Sequence, residues 1–551
     1  MAIEPAPSQS RAYLLVAVAL ATLLAIWLRT YAITTQVVID DEWHAIHKLV
    51  SASYEDIFRT FGVADHSIPM TLLYKAMSDT VGLAEGRMRA LQIACGIVVV
   101  PVSAWLAWRA TDDAPAAALF AFLMSGAPFL VMWSRFARPY AITLLLVVLC
   151  VAAIWRWRTR RSRKLAACAA ITAALSAWFH PISGMYAAIA CLFVFFEDVL
   201  VPGDVQPRPS SRSLALGAVV AGAMALLLAA PLIKDRESLA AKAGGDQPNF
   251  DTWERMLALF WGGLPTPIMV FACVLAAWGV VSLFWRDPRL ALYLLLLATL
   301  PAGMLTLSGA AWLHVGQDFA RYQLPMQPLM LLFGCIGVMS IVRAVFRSRT
   351  ESAAWTMAAL LSVAYLYATP AIAQVARLGI WYGHMDYHWD YRYRWLVAKL
   401  GNPGFAPPEF YRKLALMAPG SAPIIEAPFS YEAPYNPLDI YATYHRQPET
   451  FGMIHDLCLG GVRSGEPPHD PRFRFRKFIF LDDVSAVRQS GARYLLLHRE
   501  QLNGRPFRQG ERCLDKLTRL YGAPAEIDAR LAVFDLKPAE PRRSDARLDR
   551  P

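Results

Sequence analysis

The chain has 551 residues, of which 56% are hydrophobic and only 18% are charged. A soluble protein of this length carries more charge, so the composition indicates a protein embedded in a membrane. The net charge of +11 would suggest nucleic-acid binding on a soluble protein. Here the arginines gather in short connections between apolar runs, as in membrane proteins, and we expect no nucleic-acid partner.

Apolar runs of about 20 residues recur over most of the chain, and each is long enough to cross a hydrocarbon core of roughly 30 Å. The first run has no small-residue cleavage site after it, which predicts a retained helix rather than a signal peptide. We predict about eleven spanning helices, at 12–32, 91–110, 115–133, 139–155, 165–179, 183–200, 214–233, 264–284, 290–308, 323–342 and 354–376.

Basic connections set the predicted orientation. With an odd number of spans they all share the side of the N-terminus, which is therefore predicted to be cytoplasmic. The C-terminal tail and the polar features discussed below then lie on the outer face. The Ala- and Arg-rich composition favours a bacterial inner membrane. The basic connections are 156–164, 208–212, 285–289 and 343–349.

The first outer loop, residues 34–90, is too long for a simple connection. Apolar residues recur at helical spacing from Glu42 to Val50 and again from Ile68 to Val81. Both patterns predict amphipathic helices that lie at the membrane interface.

The tail is polar and rich in Pro and Arg. It contains short β-like runs with helical patterns between them, for example Cys513 to Tyr521, and predicts a small α/β domain. Cys458 and Cys513 could pair if the tail is extracytoplasmic, while the six other cysteines lie in apolar runs and are interpreted as packing residues. The β-like runs are 423–426, 478–481, 493–498 and 531–536.

The predicted fold is therefore mainly α. Residues 1–376 form a polytopic helical bundle of about eleven spans, and residues 377–551 form a small extracytoplasmic α/β domain.

Three acidic residues, Asp40, Asp41 and Glu42, follow the first predicted span. Adjacent residues on a helix point about 100° apart, so the three cannot all face one substrate. Mutual repulsion raises the proton affinity of at least one carboxylate, which suits a general base. The alternatives are a solvated loop end and a cation site with His44.

A second group of polar residues carries positive charge. Arg135, Arg138 and Tyr140 lie between two apolar runs with no acidic neighbour in sequence, and two guanidiniums there could clamp a phosphate. Snorkelling of the arginines to lipid headgroups is the alternative. Arg321 is a third outer cation with the same alternatives, and Lys75 supplies an ammonium near the same surface.

Two histidines complete the candidate binding residues. His66 could hydrogen-bond an acceptor or a phosphate, or it could cap the helix that begins at Ile68. His180 precedes Pro181 and breaks a predicted span, as residues that line membrane cavities often do. A structural capping role for His180 is equally open.

Metal-ligand spacing is weak along the whole chain. Asp386, His388 and Asp390 alternate in one short segment, a pattern that any polar loop can produce. We expect no obligatory metal or other cofactor, although a divalent cation at the acidic triplet stays open.

These motifs together resemble those of the GT-C membrane glycosyltransferases, notably the protein O-mannosyltransferase and aminoarabinose transferase branch. Asp41-Glu42 resembles the "DE" motif after the first helix, and residues 66–75 resemble "HPPLYYLLLK" with its "HPP" broken into His-Ser-Ile-Pro. Residues 85–89 look like the following "E…R", residues 134–140 resemble the "S…R-x-Y/D" turn, and residues 321–325 resemble the late "RYLLP".

The resemblance implies a transferase that takes a sugar from a polyprenyl-phosphate carrier and places it on an extracytoplasmic lipid, polysaccharide or protein, inverting the anomeric centre. It implies a carboxylate base in the first outer loop, best matched by Asp41. It also implies cations that hold the lipid phosphate, with Arg135, Arg138, Arg321 and Lys75 as the candidates.

A transporter or flippase for a lipid-linked sugar or another anion is the main alternative. It would place charged residues near the midplane on broken helices in paired halves, whereas the polar residues here gather at one face. A non-catalytic scaffold that binds cell-wall polymer would leave the acidic triplet unexplained.

Overall fold

The computed structural model describes most of the helical part of the chain and the core of the tail. The described residues are 7–34, 36, 38, 42, 46, 49, 51–62, 66–200, 211–241, 244–346, 350–373, 375, 407–428, 444–454, 458, 472–475, 478–499 and 510–536.

The chain divides into two compact units. The larger is helical and comes mainly from residues 44–376, and the smaller comes mainly from residues 395–551, with the short segment 35–43 grouped with it.

The larger unit contains seventeen α-helices among its described residues. They are α1 (Pro7–Thr30), α2 (Tyr54–Arg59), α3 (Ile68–Thr80), α4 (Glu85–Thr111), α5 (Ala114–Gly126), α6 (Pro128–Arg135), α7 (Tyr140–Arg160), α8 (Arg163–Phe179), α9 (Gly184–Leu200), α10 (Ser211–Lys234), α11 (Arg236–Ala240), α12 (Phe250–Phe260), α13 (Thr266–Arg286), α14 (Pro288–Ser308), α15 (Gly316–Tyr322), α16 (Met326–Val345) and α17 (Thr350–Ala368).

Every predicted span overlaps these helices, with 115–133 divided between α5 and α6, but not every helix is long and apolar enough to cross a membrane. Among the described residues seven meet that test, namely α1, α4, α7, α10, α13, α14 and α16. The pair α5–α6, bent by 51°, makes an eighth. The prediction of about eleven spans is thus confirmed only in part, because α8, α9 and α17 are not among the candidates.

The bend between α5 and α6 is a local consequence of Pro128. The residue before a proline is pushed out of the helical region of backbone space, and Ala127 lies at φ −61°, ψ 114°. Pro128 then begins α6 at the position where its missing N–H costs nothing. The sequence predicted one unbroken span at 115–133, which is wrong at this residue.

Helices α13 and α16 approach each other backbone to backbone. A Cβ on Gly279 would lie 1.8 Å from the carbonyl oxygen of Phe333, and one on Gly337 would lie 2.0 Å from that of Leu275. Small residues permit such close packing, which drives helix association in membranes. A hydrogen bond of 2.9 Å joins the hydroxyls of Ser282 and Ser340 in the same interface.

In segment 34–90, the predicted helix from Ile68 to Val81 is confirmed as α3. The second predicted interfacial helix, Glu42 to Val50, lies largely outside the described residues. A short helix that the sequence did not predict, α2, begins with a capping box in which Ser53 and Asp56 bond each other's backbone N–H.

The smaller unit is built on a six-stranded mixed sheet in the order β3-β2-β1-β4-β6-β5. Strands β3, β2, β1 and β4 are parallel neighbours. Strand β6 pairs antiparallel with β4, and β5 pairs antiparallel with β6. The strands are β1 (Ile424–Ala427), β2 (Glu449–Met453), β3 (Phe478–Phe480), β4 (Tyr494–His498), β5 (Glu526–Ile527) and β6 (Leu531–Asp535).

All four predicted strands are confirmed, as is the predicted helix, which runs over Gly510–Tyr521. The sequence analysis missed β2, whose residues Glu449 and Gly452 are poor strand formers. It also missed β5, which has only two residues. Cys458 and Cys513 form a disulfide in a core that includes Leu495 and Phe534.

Candidate active site at one end of the helical unit

Four helix termini meet at one end of the larger unit. Arg135 closes α6, Tyr140 begins α7, His180 follows the last residue of α8, and Arg321 and Tyr322 end α15. These residues are far apart in sequence and were predicted to share one membrane face. The structure brings Tyr140, His180 and Arg321 together.

Aromatic rings form the centre of this site. The Tyr140 ring lies 5.5 Å from His180 and 6.4 Å from Tyr322, and the rings of His180 and Tyr322 are 5.3 Å apart. Trp133 packs edge-on against Tyr140 with 4.5 Å between centroids. We call Trp133, Tyr140, His180 and Tyr322 the ring cluster.

Arg321 adds a positive charge to the ring cluster. Its guanidinium carbon lies 5.1 Å from the Tyr322 centroid and 5.9 Å from that of Tyr140, within reach of a cation–π interaction. Its Nε also lies 3.3 Å from a carboxylate oxygen of Asp318, one turn earlier in α15. The carboxylate therefore orients Arg321 and partly neutralises it.

Two further guanidiniums are fully buried beside this site. Arg135 donates from Nη1 to the carbonyl of Leu28 at 3.0 Å. Arg29, which the sequence analysis did not single out, donates to the carbonyls of Ser125 and Met124 at 3.0 and 3.3 Å and to the hydroxyl of Ser134 at 3.2 Å.

The carbonyls held by Arg29 are among the last of α5, which have no intrahelical partner. A cation at a helix C-terminus is favourable, and in a membrane each such carbonyl needs a partner. Within the described residues Arg29 bonds only neutral oxygens, so its charge adds to the positive potential at this end of the unit.

The crossing of α4 past α6 leaves no room for a side chain at Gly96. A Cβ there would lie 2.1 Å from the hydroxyl of Ser134 and 3.2 Å from Nε of Arg29. Gly96 therefore permits the contact that positions both groups.

Arg138, Lys75 and His66 were also predicted to bind the donor or the acceptor, and each makes local contacts in the larger unit. Arg138 is buried in the turn before α7, where its backbone N–H bonds Phe136. The Lys75 ammonium donates to the carbonyl of Leu49 at 2.9 Å and pairs with Asp79 at 3.5 Å. His66 has a positive φ of 61° and stacks on Phe61. Their predicted phosphate contacts stay predictions.

The acidic triplet is described only at Glu42, which is fully buried. Asp40 and Asp41, the other two candidates for the base, lie outside the described residues, as does His44. The possible metal ligands Asp386, His388 and Asp390 also lie outside them. The expectation of no obligatory metal stays a prediction.

Sequence reasoning missed Arg29 and Trp133 as parts of this site. Both residues lie inside predicted spans, Arg29 in 12–32 and Trp133 in 115–133, and neither was assigned a role. A signal was present for Arg29, because a charged residue inside the hydrophobic stretch 12–32 is costly unless it has a partner.

A separate polar cluster lies in the smaller unit. Ligand-type atoms of Glu426, His445 and Glu449 lie within 4.8 Å of one another, and all three residues are buried. The Nδ1 atom of His445 accepts the backbone N–H of Gln447 at 3.0 Å, so the neutral ring carries its proton on Nε2.

This Nε2–H faces carboxylate oxygens of Glu449 and Glu426 at 3.8 and 4.0 Å. The arrangement fits a buried hydrogen-bonding network better than a metal site, because a metal on Nε2 would have to displace that proton.

Comparisons with known proteins gave matches to solved structures only. No protein-family model and no curated protein matches the chain. The chain is similar to ArnT from Cupriavidus metallidurans in the apo state, with a TM-score of 0.47 and 14% identity over 96% of this chain and 98% of that one.

It is also similar to ArnT from the same organism bound to undecaprenyl phosphate, with a TM-score of 0.46 and 12% identity over 95% of this chain and 98% of that one. A third match is the arabinofuranosyltransferase AftD from Mycobacteria, with a TM-score of 0.46 and 13% identity over 96% of this chain and 40% of that one. These proteins are GT-C membrane glycosyltransferases, the class that the sequence motifs resemble. With TM-scores below 0.5 the matches carry no argument about chemistry, and the proposals below rest on the side chains of this chain.

Proposed function

We propose that this chain is a membrane glycosyltransferase. It moves a sugar from a polyprenyl-phosphate carrier to an acceptor outside the cytoplasm, with inversion at the anomeric carbon. The observation that carries the proposal is the meeting of Tyr140, His180, Tyr322 and Arg321 at one end of the helical unit, where the fully buried Arg135 also lies.

The chemistry of this site suits a donor that joins a sugar to a lipid phosphate. Aromatic faces stack against apolar faces of a ligand, while guanidiniums bind phosphate oxygens. Cations placed where the leaving phosphate gathers charge stabilise the transition state. Arg321 takes this role in the proposal, and Arg138, buried in the turn that leads into Tyr140, is the second candidate for it. Arg29 raises the positive potential at this end of the unit.

In the proposed reaction a carboxylate of the acidic triplet accepts the proton of the acceptor hydroxyl. The acceptor oxygen forms a bond to the anomeric carbon as the bond from that carbon to the phosphate oxygen breaks. The lipid phosphate leaves with the electron pair. Asp41 is the proposed base on the strength of its motif, with Asp40 and Glu42 as the alternatives.

The transporter alternative is less well supported. It needs ionic groups near the midplane, but the buried charged residues that the structure describes in the larger unit lie at or near helix termini. Examples are Arg29 at the end of α1, Glu85 at the start of α4 and Asp113 before α5.

The test compares Asp41→Asn with the neighbouring Asp40→Asn in cells that lack the wild-type chain. We expect Asp41→Asn to abolish the mass increment that the wild-type chain adds to an envelope glycan, lipid or protein, and Asp40→Asn to retain it. Equal membrane levels of both variants serve as the folding control. Retained transfer by Asp41→Asn contradicts the base assignment, and transport of lipid-linked sugar without transfer contradicts the proposed function.

A further inference from the structure

A cavity of about 300 Å³ is lined by the last turns of α4 and α7, whereas the ring cluster contains the first residue of α7. Its walls come from α4, α5, α7, α14 and α16. They are mainly apolar and include Leu106, Phe120, Val148, Tyr293 and Leu329. Nothing in the proposed transfer reaction uses this space.

Three arginines line the same cavity near its exposed rim. They are Arg109 at the end of α4 and Arg156 and Arg160 in the last turns of α7. No acidic side chain is among the lining residues. The cavity therefore combines an apolar interior with a concentrated positive charge.

Other arginines at this end of the unit have acidic partners. Arg158 pairs with Glu197, and Arg343 donates from Nη2 to a carboxylate oxygen of Asp113 at 2.8 Å. Arg109, Arg156 and Arg160 form no ion pair within the part of the chain that the structure describes.

Aromatic rings hold two of the three unpaired arginines in place. The guanidinium of Arg156 lies 4.8 Å from the Trp105 centroid, and that of Arg109 lies 5.8 Å from that of Trp108. A cation–π contact restrains a guanidinium while its N–H groups stay available to a ligand. The restraint lowers the entropy that binding an anion would cost.

We propose that this cavity is a binding site for an anionic phospholipid of the surrounding bilayer. One acyl chain enters the apolar interior, and the phosphate of the headgroup binds Arg109, Arg156 and Arg160. Basic pockets between membrane helices recognise anionic headgroups in this way. The absence of acidic lining residues argues against a zwitterionic lipid, whose positive group would find no partner.

The test uses the full-length protein in nanodiscs of phosphatidylcholine and phosphatidylglycerol. Native mass spectrometry then identifies the lipids that stay bound to the protein after it is released from the nanodisc. We expect phosphatidylglycerol to be retained above its share of the bilayer. In the triple variant Arg109→Gln, Arg156→Gln, Arg160→Gln this enrichment should fall by about fivefold for each arginine removed.

The matched control removes three charges from the same end without touching the cavity. It carries Arg163→Gln, Lys164→Gln and Arg286→Gln, all at exposed positions, and should keep the enrichment. Equal loss in both triple variants would mean general attraction to the membrane surface and would overturn the proposal. Full competition by glycerol phosphate would also overturn it, because the ligand would then be a free anion.

A second measurement tests the acyl chain without relying on a folded variant. Phosphatidylglycerol with a photoreactive group at the end of one chain should label peptides that contain residues 103–110 or 148–160 in the wild-type protein. Ala152→Phe, which fills the cavity and keeps all three arginines, should abolish this labelling. Labelling confined to helices other than α4, α5, α7, α14 and α16 would contradict a chain in this cavity.

Discussion

Arg321 shows how several contacts can orient one guanidinium. Asp318 fixes its Nε side, and the rings of Tyr322 and Tyr140 lie within cation–π distance of its guanidinium carbon. A guanidinium fixed in this way loses little freedom when it binds a phosphate oxygen, and it keeps its charge at any physiological pH.

Replacing Arg321 by Gln should therefore weaken transfer much more than membrane insertion. We expect kcat/KM for the lipid-linked donor to fall by about 100-fold, because one charged donor to the leaving phosphate is lost. The measurement is the rate of release of polyprenyl phosphate by purified protein. Arg286→Gln, at the basic end of α13, is the control and should keep the wild-type rate. An Arg321→Gln variant as fast as this control would remove Arg321 from the proposed mechanism.

At the scale of elements, the broken pair α5–α6 depends on other helices. Pro128 creates the break, and α4 passes close to α6 at Gly96. Arg29 of α1 donates hydrogen bonds to carbonyls in the last turn of α5. None of these three contributions alone would position Ser134 and Arg135. The geometry at this end of the unit is thus a property of four helices acting together.

Gly96→Ala tests this dependence. The added methyl group would overlap Ser134, and we expect a loss of about 1–3 kcal/mol of stability from overpacking, together with reduced transfer. Thermal unfolding in detergent, followed by the loss of monodisperse protein, measures the effect. The matched control is Gly217→Ala in α10, where a Cβ meets nothing within 4 Å. The same loss in both variants would show that any alanine harms these helices and would exclude a specific role for Gly96.

At the scale of the whole molecule, each compact unit buries ionisable groups by a different means. The larger unit keeps its described buried charges at helix ends, while the smaller unit buries a connected network inside a sheet. In that network the Tyr411 hydroxyl lies 2.7 Å from Glu426 Oε1 and 2.8 Å from Nε2 of His498.

Burial lowers the pKa of His498 to about 4, with Arg530 adding to the shift and Asp528 opposing it. Burial alone lowers the pKa of His445 to about 4.

The smaller unit should consequently lose stability as the pH falls. Between about pH 6.5 and pH 4 the unfolded chain binds protons that the folded histidines reject, so stability decreases on acidification by about 1.4 kcal/mol per pH unit for each ring. Above this window the histidines make no further difference. Hydrogen exchange of residues 494–498 and 531–535 in the full-length protein, corrected for the intrinsic rate at each pH, measures the loss. His498→Gln should make the stability of the smaller unit depend less on pH. Protection from hydrogen exchange that stays constant from pH 6.5 to pH 4.5 in the wild-type protein would contradict this prediction.

The sequence predicted what depends on local pattern. Apolar length identified a helix for each predicted span, and alternating apolar runs identified β1, β3, β4 and β6. It also predicted that Tyr140, His180 and Arg321 would share one face, and the structure brings these three side chains together.

The rest depends on contacts between distant parts of the chain. Nothing local to Arg29 shows that it holds carbonyls about a hundred residues away, and nothing near Glu449 shows that its strand is completed by β1. The predicted number of spans is confirmed only in part, because α8, α9 and α17 are not among the candidate spans in the described residues.

The hydrogen bonds from Arg29 to the carbonyls of Met124 and Ser125 have a consequence for replacing the first helix by another segment. A hydrophobic segment near an N-terminus is often regarded as an interchangeable anchor, to be swapped for a generic leader when a protein is produced. Here a foreign segment without a guanidinium at the matching depth would leave two backbone oxygens facing hydrocarbon. The first helix thus supplies a side chain that the rest of the bundle needs, and an anchor of equal hydrophobicity without that side chain does not replace it.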